Sequence, residues 1–227
     1  MRVAALASGG KDSSYAMYSV LQEGHDITAL VAMVPPSPES YMYHHPNIHL
    51  MPLYARACGI PLVMEPTCGE KERELDDLAR VLATLDVDAV CTGAVASVYQ
   101  KSRIERVCDE LGLEVLSPLW GCEPADTLLE MVQRMSILIV RVAAMGLDSR
   151  WLGRMLDVEC AQELISLSSR YGVHPMGEGG EYETLVLDAP FFSKRLKVVD
   201  AHATWERDSG AYIVDGATLE EKTLEEK

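Results

Sequence analysis

The chain has 227 residues, 48% hydrophobic and 24% charged, an ordinary composition for a globular protein able to bury a real core. Its formal net charge of −15 opposes a grip on tRNA or DNA, whose phosphates need a basic surface, and favours a cationic partner or substrate. No apolar run reaches the length of a membrane span and no signal-peptide pattern opens the chain, so the expectation is a cytoplasmic protein with no membrane partner.

In chain order, the apolar run Val3–Leu6 reads as a short buried strand, and Tyr15, Met17, Tyr18, Val20 and Leu21 recur at helical spacing. Between them lies Ala7-Ser8-Gly9-Gly10-Lys11-Asp12-Ser13-Ser14. Paired glycines let backbone amides approach a ligand, and the helix end adds donors and partial positive charge. Lys11 adds a mobile full charge, Ser8 and Ser13 add hydroxyl donors, and the loop reads as a phosphate cradle. It is not the G-x-x-x-x-G-K-[ST] loop, because Gly-Gly-Lys is contiguous and Asp12 follows at once.

Further strand-like runs fall at Ile27–Val34, Pro61–Met64, Asp88–Thr92 and Glu114–Leu116, with helical patterns at about 12–22, 50–58, 70–85 and 100–111. This alternation predicts an α/β fold, a Rossmann-like parallel sheet with helices on both faces and ligands beyond the strands' carboxyl ends. Residues 35–47, rich in proline, form a long loop after the second strand, where His44 and His45 are either donors to a substrate or ordinary polar residues. Gly93, after the fourth strand, would permit close approach of a nucleotide. Gln100, Arg103 and Arg106 on the next helix are either phosphate contacts or surface charge.

Past Leu116 the pattern changes, and we expect a nucleotide-binding part over 1–117 and a smaller lobe over 118–227. A helix runs from Pro124 to about Met135, then an apolar strand over Ser136–Ala144, then helical stretches at about 149–156 and 158–171. The segment Glu220-Glu221-Lys222 and the residues after it read as a solvated, frayed end. Six cysteines, Cys58, Cys68, Cys91, Cys108, Cys122 and Cys160, form no C-x-x-C pair and read as reduced thiols.

A second glycine turn, Gly177-Glu178-Gly179-Gly180-Glu181-Tyr182-Glu183, precedes a strand at Thr184–Leu187. Its three carboxylates repel one another, and a cation such as Mg²⁺, ammonium or a quaternary ammonium would relieve them; solvated acids on a surface turn are the alternative. If Glu181 and Glu183 both lie on the strand, they share one face.

Ser8–Ser13 resembles the loop of the N-type ATP pyrophosphatases, the PP-loop class. Together with Tyr43-His44, Gly93-Ala94, Tyr99-Gln100, Arg103 and the stretch Gly177–Asp188, it resembles the diphthine–ammonia ligase family over most of the chain, to about Leu196. The family pattern has Phe where Tyr43 stands and an acid near Val98, so a role at Val98 does not carry over. The resemblance implies an adenine nucleotide α-hydrolase-like fold, ATP and Mg²⁺ as cofactors, and amidation of diphthine on translation elongation factor 2 with ammonium through an acyl-adenylate. Ser8, Gly9, Gly10, Lys11, Asp12, Ser13, Gly93 and Arg103 would hold the nucleotide, with Asp12 on the metal. His44, Tyr99, Gln100, Glu178, Gly179, Gly180, Glu181 and Glu183 would face the acceptor; Lys11, Asp12 and either Glu181 or Glu183 would act catalytically. A homodimer is left open. The alternatives are a related ligase acting on a small carboxylate or RNA, and a regulatory module that binds ATP without cleaving it.

Overall fold

The computed structural model describes residues 1–34, 46–67 and 73–222. The chain divides into two compact units, Met1–Ser8 with Asp12–Gly121, and Gly9–Lys11 with Cys122–Lys227. His44, His45, Tyr43 and Cys68 lie outside the described residues. Among the described residues no helix is long and apolar enough to cross a membrane.

In the first unit, β1 (Arg2–Leu6), β2 (Asp26–Val34), β3 (Leu62–Pro66), β4 (Ala89–Cys91) and β5 (Glu114–Leu116) form one sheet in the order β3-β2-β1-β4-β5. Every pairing in it is parallel. The central strands are buried on both faces, which is why they read as unbroken apolar runs. Helices α1 (Lys11–Gln22), α2 (Met51–Cys58), α3 (Arg73–Leu82) and α4 (Val98–Leu111) connect them. Leu75, Leu78, Val81 and Leu82 of α3 and Ile104, Val107 and Cys108 of α4 pack on Ala4, Val31, Met33 and Val90 of the sheet. α1 and α2 meet through the Ser14 and Tyr54 hydroxyls, 2.7 Å apart, and burial raises the Tyr54 phenol far above its ordinary range. The strand order reverses between β1 and β4, so the loops after these two strands stand where such sheets take ligands.

The second unit holds α5 (Pro124–Arg134), β6 (Ser136–Val142), α6 (Val158–Tyr171), β7 (Tyr182–Asp188), β8 (Lys194–Glu206) and β9 (Ser209–Glu221). Its strands form an antiparallel sheet in the order β7-β6-β9-β8. Asp157 caps α6 by accepting from the Cys160 amide at 2.8 Å.

Two expectations fail here. The stretch 149–156 is a single 3₁₀ turn, Ser149–Trp151, followed by a turn at 152–153 and an isolated bridge at Met155. Backbone bonds go to β6 instead: Gly153 and Leu156 donate to Ile139 and Ile137, Ile139 donates to Arg154, and Met155 bridges Leu138. Gly153 adopts φ +75°, with the Tyr212 ring where a Cβ would sit. Nor is the stretch at 220–222 a frayed end. Glu220 and Glu221 lie in β9, and Lys222 is buried, bonding Asp188 Oδ1 at 2.6 Å and the Ala189 carbonyl at 2.8 Å.

The described cysteines are free thiols, and burial pushes Cys91, Cys108 and Cys160 up to about 12 and Cys58 to about 11. Thiols so disfavoured as thiolates are inert packing groups.

Candidate active site

In the first unit, β1 ends at Leu6 and the chain turns through Ser8 to α1, with Asp12 in the first helical turn. Ser13 Oγ lies 3.3 Å from Ser8 Oγ and accepts from the Ser8 amide at 3.4 Å, which closes the loop on itself. Gly93 lies against the same turn. A Cβ there would fall 2.6 Å from the Ser13 amide nitrogen and 2.7 Å from the Asp12 carbonyl carbon. The close approach that Gly93 permits is thus to the chain's own backbone, which seats α1 against the end of β4. Beyond it, Ser97 caps α4 by accepting from the Gln100 amide at 3.3 Å, and the Arg103 guanidinium lies 3.6 Å from the Tyr99 ring centroid. Arg106 is exposed, and Val98 is 69% exposed.

Residues 9–11 group with the second unit. Gly9 adopts φ +79°, a left-handed turn suited to glycine, and its carbonyl accepts from the Val186 amide at 2.8 Å. The Lys11 amide donates to Thr184 Oγ1 at 3.0 Å. Lys11 Nζ donates to the Met176 carbonyl at 2.5 Å and stands 5.0 Å from the Tyr182 ring centroid. With only 2% of Lys11 exposed, the expectation of a mobile charge is corrected: the ammonium is held in place. The reason is that an aromatic face and a carbonyl together replace much of the hydration a buried ammonium loses.

The second glycine turn is built around Glu181. Its Oε1 accepts from the His174 amide at 2.9 Å and its Oε2 from the Gly179 amide at 2.8 Å. Gly177 and Gly180 take φ +71° and +80°, and the Tyr182 hydroxyl donates to the Pro175 carbonyl at 2.5 Å. A Cβ on Gly179 would meet Glu181 Oε1 at 2.8 Å, so the glycine makes room for that carboxylate. Because β7 begins only at Tyr182, Glu181 lies in the turn and shares no strand face with Glu183. Glu178 is half-buried, and Gly179 and Gly180 are exposed.

Glu183 is different. Its Oε1 accepts from Arg141 Nη1 at 3.0 Å, yet burial outweighs the pull of Arg141 and Lys11 and pushes the carboxyl up to about 7. A carboxyl that titrates near neutrality, beside a buried lysine and an arginine, can hold or release a proton under working conditions. Like-charge relief thus comes from amides at Glu181 and from cationic side chains at Glu183. Sequence reasoning missed Arg141, although it is the only charged residue in the otherwise apolar strand Ser-Ile-Leu-Ile-Val-Arg-Val, which was a readable signal. Among the described residues no group of three or more His, Cys, Asp or Glu side chains gathers as a metal site.

Comparison with known proteins agrees along the whole length. Residues 1–115 match the family model "Diphthamide synthase N-terminal domain" and residues 123–219 match "Diphthamide synthase C-terminal domain". The chain is 38% identical to a diphthine--ammonia ligase of Mus musculus, the match covering 100% of this chain and 94% of that protein. It is 36% identical to a diphthine--ammonia ligase of Schizosaccharomyces pombe, the match covering 98% of this chain but 40% of the longer relative. A predicted subunit of tRNA methyltransferase from Methanocaldococcus jannaschii overlays with TM-score 0.45 at 17% identity, over 83% of this chain and 97% of that one. With both domain models matched and relatives this similar, the chain belongs to the diphthamide synthase family.

Proposed function

We propose that this chain is a cytoplasmic ligase that amidates diphthine on translation elongation factor 2 with ammonium, consuming ATP and releasing AMP and pyrophosphate. The observation that carries this reading is the seating of Lys11, from the glycine loop, on the segment 176–186 of the second glycine turn. One structural module thereby joins a phosphate-type loop to a buried, proton-active carboxyl. In this reading residues 1–117 serve the nucleotide and 118–227 the acceptor.

The donors of the first unit fit a polyphosphate: two serine hydroxyls and the amino end of α1, with Asp12 as the acid of the first turn. ATP supplies the activation that a carboxylate, a poor electrophile, lacks, and pyrophosphate is the leaving group. Ser8, Ser13 and the start of α1 stabilise charge growing on that group, and Lys11 is the loop's cation that neutralises it. Mg²⁺ would come with the phosphates and take Asp12 as a carboxylate ligand, because this ion seldom uses an all-protein cage. Gly93 and Arg103 belong to the nucleotide side, and Tyr99, Gln100, Glu178, Gly179 and Gly180 to the acceptor side.

Of the two carboxylates considered as the base, Glu183 is the better assignment, since both Glu181 oxygens hold the turn together. Glu183 takes a proton from ammonium, and the ammonia so formed displaces AMP from the activated carboxyl. The test is incubation with ATP, ammonium and unamidated elongation factor. AMP formed only with that acceptor, and with amide produced, is the expected result. ATP bound but left intact would reduce the chain to a nucleotide-binding module, and AMP formed with a different carboxylate or an RNA would name another ligase.

A further inference from the structure

β6 and β7 pair in one register from Ile137 to Ile139: Ile137 faces Val186, Leu138 faces Leu185, and Ile139 faces Thr184. In each of these pairs the two residue numbers sum to 323. At Arg141 the register shifts by one, so that Arg141 faces Glu183 and Val142 faces Tyr182, with sums of 324. Had the first register continued, Val140 would face Glu183 and Arg141 would face Tyr182. Because side chains alternate between sheet faces, Arg141 and Glu183 would then point to opposite sides. A bulge is a costly interruption of a ladder, and its recognised use is to re-aim a side chain. Here it brings the charged residue of β6 to the proton-active carboxyl of β7.

We propose that Arg141 is a positioning residue for Glu183: the bulge in β6 delivers its guanidinium to Glu183 Oε1, orienting that carboxylate and favouring the ionised form that accepts the proton of ammonium. This inference rests on the amidation reading above. In the step concerned, an N–H bond of ammonium breaks and an O–H bond forms on Glu183. The freed nitrogen lone pair forms the C–N bond, the C–O bond to AMP breaks with its electron pair going to AMP, the nitrogen sheds its second proton to water, and Glu183 later returns its own proton to water.

The charged groups acting on Glu183 are Arg141 on β6 and Lys11 at the start of α1. The adjoining turn contributes Glu181, bonded to the His174 and Gly179 amides, and the far end of β7 contributes Asp188, paired with Lys222. Lys11 Nζ donates to the Met176 carbonyl at 2.5 Å, and Arg141 Nη1 donates directly to the Glu183 carboxylate at 3.0 Å. Arg141 is 31% exposed at its side chain and Glu183 17%, so their attraction is only partly screened by water.

The experiment titrates Glu183 by carboxyl ¹³C NMR in the ligand-free protein, in wild type, Arg141→Met and Arg141→Lys, beside the pH profile of ammonium-dependent amide formation. Removing the guanidinium raises the Glu183 midpoint by about one pH unit or more, and Arg141→Lys returns part of the shift. The acid limb of amidation moves with it, so that Arg141→Met is about tenfold slower below neutral pH and recovers at high pH. An unmoved midpoint in Arg141→Met overturns the proposal, as does a midpoint that moves while the acid limb stays. No amide from wild-type enzyme overturns the amidation reading itself, whatever the titration shows.

Discussion

The backbone amide of Lys11 donates to the side-chain hydroxyl of Thr184, 173 residues further along the chain, at 3.0 Å. Lys11 sits in the first turn of α1, where amides lack a helical partner, and Thr184 is 3% exposed. Thr184→Val keeps the shape but leaves a buried donor unsatisfied. It should cost about 1–3 kcal/mol in urea unfolding, whereas Thr184→Ser retains the acceptor and most of the stability. A valine variant as stable as wild type would show that this bond contributes nothing.

Lys11→Met removes the fixed positive charge while preserving an unbranched side chain of similar length. Loss of one charge-stabilising donor of this kind lowers turnover by roughly 10²–10³-fold. The measurement is AMP release under saturating ATP, with ATP affinity determined separately. Near-normal AMP release from a folded Lys11→Met protein would remove Lys11 from the mechanism.

Gly93→Ala places a Cβ 2.6 Å from the Ser13 amide nitrogen, against backbone that has no flexible end to give way. The first turn of α1 must shift, at a cost of about 1–3 kcal/mol by the energetics of overpacking. Since that turn carries Asp12 and Ser13, ATP affinity should fall together with the melting temperature. Undiminished affinity would separate the glycine from the nucleotide loop.

The Lys222–Asp188 pair ties the residue after β9 to the end of β7, and the lysine side chain is 3% exposed. Breaking it by Lys222→Met strands a carboxylate that is 21% exposed, and roughly 3 kcal/mol of stability should be lost. In a double-mutant cycle, adding Asp188→Asn should recover part of that loss. Simple additivity of the two losses would mean the pair is not coupled.

For Glu183 the sign of the pH dependence follows from a folded-state value raised to about 7 against about 4.5 in the unfolded chain. Between these values the native protein holds a proton that the unfolded chain has lost, so stability falls as pH rises through this window. The full effect is roughly 3 kcal/mol, complete near neutrality, and Glu183→Gln should flatten it in denaturant titrations. Activity moves the other way: amide formation rises through pH 7 as the carboxylate ionises. A wild-type stability profile parallel to that of Glu183→Gln would show that Glu183 titrates normally.

Periodicity and turn chemistry sufficed for the α/β unit. Its interior strands are buried on both faces and its helices alternate regularly, so β1, the glycine loop and α1 stand in the residue order with their boundaries nearly right. The second unit was less legible. β8 is exposed over most of its length and carries no clean apolar alternation, so the hairpin it forms with β9 left little trace. The stretch 149–156 has helical spacing, but partners on β6 outbid it for its hydrogen bonds.

The residue types of the candidate site were determined by the sequence alone: a glycine loop with Lys11 and Asp12, and a glycine turn with three glutamates. What each glutamate does was decided by tertiary structure, which bonds Glu181 to the amides of its own turn and, through a one-residue bulge, places Arg141 beside Glu183. Spacing along a chain records which side chains share a face of one element. It does not record which groups from distant elements remove water from a carboxylate, and that desolvation sets the proton affinity of Glu183.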